Sequence, residues 1–164
     1  MNAPARRAKH AVVRRELSST ERAELSDGLV NALSAAGVQP MIDARPHPAA
    51  FLARLRFGGL PIMAVGRTIW WPNARPDFAG SADMAVLQHE LQHILDFAEG
   101  RLTVAGYLLR PHNWRYRWQL GDGLTWDRLG AEQRASMAEA LWQVEHASAE
   151  SEFAAKLRAI IPWA

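Results

Sequence analysis

The 164-residue chain contains no cysteine, which excludes a disulfide framework, a thiol nucleophile and a cysteine-ligated zinc finger. Any metal must therefore be held by histidine and carboxylate side chains. Long apolar runs are absent too. No stretch approaches the roughly 20 consecutive apolar residues that span a bilayer. The opening MNAPARRAKHAVVRREL lacks the apolar centre of a secretory signal. The location this implies is cytoplasmic, with no membrane partner and with export by a secretion system left open. Excess charge is also small, 19 Lys and Arg against 17 Asp and Glu for a formal +2, so composition alone gives little reason to expect a nucleic-acid partner. What excess there is gathers in Arg6, Arg7, Lys9, Arg14 and Arg15. A basic, flexible N-terminal segment is therefore expected over residues 1–17, followed by one domain over residues 18–164.

What is present is ordinary globular material, 49% hydrophobic and 22% charged, in a chain long enough to bury a core. Ser18, Ser19 and Thr20 precede leucines at 25, 29 and 33, a spacing that predicts a helix over residues 20–36 stopped by Gly37 and Pro40. Between Met41 and Pro76, prolines at 46, 48, 61, 72 and 76 break the chain into short apolar runs, which suit strands and turns. Ile62–Val65 and Thr68–Trp71 flank Gly66-Arg67, and glycine at the first loop position predicts a two-residue hairpin. Helices follow over 82–98, with Ser81 as N-cap and Asp83 in the first turn, over 129–147 and over 149–161. Residues 101–128 are expected to be irregular apart from a short turn near 114–120.

The second helix reads His89-Glu90-Leu91-Gln92-His93, an H-E-x-x-H motif. Side chains four apart stand one above the other on a helix, so two imidazoles can reach one cation, and the adjacent Glu90 lies where a general base for a water would be needed. A chance occurrence in a chain of this composition has a probability on the order of 1%. At about 100° per residue, Met84, Leu87, Leu91, Ile94, Leu95 and Ala98 form an apolar arc and the histidines fall opposite it, on a polar side. Two histidines leave a tetrahedral site short of a ligand. Glu132, opening the next long helix, is the leading candidate and Glu139, two turns on, is the runner-up. Asp96 is expected to orient a histidine instead. Donors for an oxyanion come from Tyr107, His112, Arg115 and Tyr116, with Tyr116 and His112 ahead.

The stretches LQHELQHILDFAEG, NWRYRWQL and WDRLGAEQRASMAE together resemble the vgr-related small zinc metallopeptidases of alphaproteobacteria and, more distantly, the peptidase-like domain of contractile injection systems. The resemblance covers roughly residues 60–145. It implies a gluzincin-like centre in which His89, His93 and Glu132 ligate Zn²⁺ and Glu90 is the base.

The expected fold is α+β: a small zincin-like domain with an antiparallel hairpin or sheet and an active-site helix packed on C-terminal helices. The strand at residues 68–71 is the candidate edge along which a peptide could pair, one of its two tryptophans packing in the core and the other lining a cleft. The expected activity is zinc-dependent hydrolysis of peptide bonds in a peptide or protein substrate. The alternative is a non-catalytic zinc-binding or scaffold protein partnered with a secretion or phage-like assembly. A nucleic-acid binder using the N-terminal arginines is the third and least favoured reading.

Overall fold

The computed structural model describes residues 14–50, 59–121, 123–147 and 151–164. Its architecture is α+β, a four-stranded sheet beside a set of helices. Strand β1 (Arg14–Glu16) pairs antiparallel with β2 (Met41–Asp43); β2 runs parallel to β4 (Thr68–Trp70); β4 pairs antiparallel with β3 (Met63–Val65). The spatial order is β1-β2-β4-β3. The β3–β4 hairpin turns on Gly66 at φ 60°, the left-handed value that favours glycine. The sheet as a whole is mixed rather than antiparallel, because β2 and β4 lie side by side with β3 folded back outside them. That arrangement also corrects the edge: β4 is internal, and β3 is the edge strand facing the histidine helix. Of the paired tryptophans, Trp71 is buried and stacks on Phe78 at 4.3 Å, whereas Trp70 sits under Arg45 and His47.

The N-terminal boundary also moves. Arg14–Glu16 is a sheet strand and Leu17 is buried in the core, so the folded part takes in residues placed in the basic segment; residues 1–13 lie outside the described residues. The helix expected over 20–36 is two, α1 (Ser19–Glu24) and α2 (Asp27–Ala35). A capping box opens α1, with Glu21 N–H donating to Ser18 Oγ and Ser18 N–H to Glu21. The break comes from tertiary partners: Trp142 Nε1 donates to the Glu24 carbonyl, and Gln88 Nε2 donates to Ser26 Oγ.

Helix α3 (Asp83–Ala98) is the centre of the molecule. Its cap is Ala82 rather than Ser81, whose hydroxyl donates instead to the Phe78 carbonyl. Leu87, Leu91, Ile94 and Leu95 pack with Leu29, Ile42, Ile69 and Phe78 in the main core, each burial worth about 1.5–3 kcal/mol relative to exposure. A short helix, α4 (Val104–Leu109), and a 3-10 turn (Pro111–Trp114) occupy the segment expected to be irregular. Helix α5 (Ala131–Ala147) lies against α3, and α6 (Glu152–Arg158) closes a second core with Trp126, Leu129, Met137 and Leu141. Among the described residues, no helix is long and apolar enough to cross a membrane.

Candidate metal centre

The polar side of α3 is not solvated. Gln88, His89, Glu90, Gln92, His93 and Asp96 are all buried: α5 supplies partners to His89, His93 and Asp96, while Gln88 meets Ser26, Glu90 meets the Ala64 N–H of β3 and Gln92 meets Trp163. Burying so many polar groups costs several kcal/mol per uncompensated charge, so each needs a partner.

His89 and His93 stack along the helix with ring centroids 5.0 Å apart. Glu132, in the first turn of α5, inserts one carboxylate oxygen between them: Oε2 lies 3.2 Å from His89 Nε2 and 3.4 Å from His93 Nε2. The three ligand atoms lie within 4.8 Å of one another, and the group can hold a metal ion. Glu132 is positioned by how α5 begins. Gln133 Oε1 accepts from Gly130 N–H and Asn113 Oδ1 from Ala131 N–H, capping the helix. Gly130 is required there, since a Cβ would meet the His112 carbonyl oxygen at 2.3 Å.

The donor spacing fits a cation. Ligands about 2.0–2.1 Å from a tetrahedral ion stand roughly 3.4 Å apart, which the 3.2 and 3.4 Å separations match. Charge-assisted hydrogen bonds are shorter, about 2.7–2.9 Å. His93 Nδ1 is buried with no hydrogen-bond partner among the described residues. His89 is held from behind, its Nδ1 lying 3.1 Å from Glu139 Oε2. Glu139 thus lies on the opposite nitrogen from the shared Glu132 oxygen, the usual place for a carboxylate that orients a ligating imidazole.

The electrostatics follow from three carboxylates facing two imidazoles. Burial opposes protonation of His89, but the hydrogen bonds to Glu132 and Glu139, with the charges of Glu90 and Glu132, carry its pKa up to about 9. Burial works against ionising Glu132 too, yet the two histidines and the Tyr107 hydroxyl hold it well below the usual carboxylate range. Glu90 moves the other way. Burial raises its pKa, with Glu132 adding to the rise, while the histidines and the Ala64 N–H of β3 partly offset it.

Tyr107, on α4, one of the candidate oxyanion donors, instead donates to Glu132 Oε1 at 2.5 Å. Tyr116 stacks over His89 at 6.3 Å; burial, the Glu132 charge and a hydrogen bond to Glu132 keep its phenol protonated above the ordinary range. His112 is engaged elsewhere, with Nε2 3.1 Å from the Arg128 carbonyl. Asp96 orients no histidine; it accepts from Gln92 at 2.9 Å and from Arg134 at 2.9 and 2.8 Å. Glu139 and Asn113 carry no local signal for these contacts beyond Glu139 sharing the face of Glu132.

Fold and site together define an α+β domain with a buried His-His-Glu group suited to a metal ion. Comparison with family models, with curated proteins and with solved structures finds no match for this chain.

Proposed function

We propose that the protein is a zinc-dependent peptidase in which His89, His93 and Glu132 hold the ion and Glu90 is the general base. The observation that carries this reading is the convergence of the three donors from two helices, with a second carboxylate, that of Glu90, buried beside them. A Zn²⁺ ion in such a set supplies electrophilic activation of a carbonyl and acidifies water; the donor chemistry also accepts other divalent ions.

The chain's own residues supply the rest. Glu90, with its raised pKa and its tie to the Ala64 N–H, is poised to take a proton from the attacking water and to return it to the departing amine, a function worth about 10²–10⁴ in rate. Tyr116, protonated and next to Glu132 and His89, is the donor for negative charge developing on the carbonyl oxygen. Glu139 keeps Nδ1 of His89 occupied so that Nε2 stays available. The resemblance read in the sequence supports the same class and the same residues.

The test is turnover of a mixed peptide substrate by wild type and Glu90→Gln. The variant is expected to retain its metal and lose at least about 100-fold in rate. An unchanged rate in the variant would refute Glu90 as the base, and no turnover by metal-loaded wild type would leave a non-catalytic metal protein.

A further inference from the structure

The large apolar side chains left exposed are not scattered. Among the described residues, five of the seven, Val104, Leu108, Leu109, Trp114 and Tyr116, fall within residues 104–116. Leu109 is 79% exposed and Leu108 60%, and α4 buries none of its residues. Large apolar side chains left exposed together in one short segment are less readily explained as ordinary surface than singly scattered ones.

The stretch is nevertheless firmly built. Thr103 Oγ1 caps α4 at Gly106 N–H, Asn113 Nδ2 donates to the Gly106 carbonyl, and Trp114 Nε1 donates to the Tyr107 carbonyl. It is also continuous with the metal centre, since Tyr107 reaches Glu132 and Tyr116 lies over His89. Its charge is of one sign. Arg110, Arg115 and Arg117 are exposed, and among the described residues no carboxylate lies within ion-pair distance of any of them.

We infer that residues 104–117 form a recognition shelf for an extended peptide whose apolar side chain rests on Leu108 and Leu109 and whose neighbouring acidic side chains meet Arg110, Arg115 and Arg117. The apolar part supplies contact area, and the arginines select for complementary charge. Continuity with Glu132 through Tyr107 favours a peptide led into the site over a bilayer lying on the shelf. The inference rests on the peptidase reading only for the fate of the bound peptide; binding itself is measurable apart from cleavage.

The experiment uses the full chain carrying Glu90→Gln and two fluorescein-labelled peptides, one with a Glu-Leu-Phe-Glu centre between glycine-alanine spacers and one with lysines replacing the glutamates. Fluorescence anisotropy is expected to give binding of the acidic peptide at least about ten-fold tighter than the lysine peptide. Leu108→Ser with Leu109→Ser should weaken it about ten-fold, and Arg110→Glu with Arg115→Glu should reverse the preference, in each case with unchanged metal content and thermal midpoint. Equal binding of the two peptides, no binding, or indifference to both double variants would overturn the inference. So would retention on phosphatidylglycerol vesicles without peptide binding, which assigns the shelf to a membrane surface. Peptide binding through the shelf by a wild type that hydrolyses nothing removes the peptidase reading alone; hydrolysis that ignores both double variants removes the shelf alone.

Discussion

Two clusters of buried polar side chains share the interface between α3 and α5, and they obey different rules. In one, Asp96 accepts from Gln92 and from both Nε and a terminal nitrogen of Arg134 at 2.8–2.9 Å, while Trp163 donates to Gln92 Oε1 at 2.8 Å. Its charges cancel and its distances are those of charge-assisted hydrogen bonds. In the other, one oxygen of Glu132 is shared between two imidazoles at 3.2 and 3.4 Å, His93 Nδ1 has no partner among the described residues, and carboxylates outnumber histidines. A closed, neutral cluster locks two helices together. An open cluster with surplus negative charge and matched donors can hold a metal ion.

That contrast breaks most visibly at Arg134. Arg134→Ala strands Asp96, fully buried, and should cost about 3–5 kcal/mol of unfolding free energy in urea melts, with metal per folded chain unaltered. A loss under about 1 kcal/mol would mean that the cluster is not the lock described. Glu132→Ala should behave in the opposite manner. Stability without metal should change little, but the gain from added Zn²⁺, about 2.7 kcal/mol at a hundred times Kd, should vanish from the thermal midpoint. A gain equal to wild type would remove Glu132 from the ligand set.

Glu139→Gln sharpens the comparison by touching the open cluster from behind. Weakening of metal affinity by about 10–100-fold is expected in competition titrations with a chelating dye, and less in Glu139→Gln than in Glu139→Ala because the amide can still accept from Nδ1. Identical affinities for both variants and wild type would reduce Glu139 to a bystander.

The smallest effect concerns another buried carboxylate, Glu21, which follows the closed rule. Burial disfavours ionised Glu21, but Arg15, bidentate at 2.7 Å, and the backbone N–H groups of Ser18 and Phe78 outweigh it, so its folded pKa lies below 4.5. The sign follows from linkage: this contribution is complete above the unfolded value of 4.5 and is lost as pH falls through the folded value. Acid unfolding of wild type should show that loss, and Arg15→Ala should blunt it; identical acid midpoints would contradict the assignment.

How much of this was legible beforehand depended on the range of the cause. His89, Glu90 and His93 are readable because helical spacing alone sets their relation, and Glu132 because a His-His-Glu set commonly takes its carboxylate from a second helix, which Glu132 opens. Asp96 was misread since its face is right for a histidine, but the partner that claims it, Arg134, comes from another helix. Leu25 and Ser26 gave no hint of a break, because the groups that enforce it are Trp142 and Gln88. Helix α4 was invisible for the opposite reason: it buries nothing, so it carries no apolar periodicity. The run Arg14-Arg15-Glu16 lacks alternation, which hid β1 in a segment that reads as a charged tail.

The central claim is that His89, His93 and Glu132 grip one divalent cation, with Glu90 beside it as a non-ligand. Its most direct measurement is metal analysis of purified wild type, His93→Ala, Glu132→Ala and Glu90→Gln side by side. The account predicts about one equivalent in wild type and in Glu90→Gln, and almost none in the other two. Metal-free wild type, or full occupancy in both His93→Ala and Glu132→Ala, would contradict it.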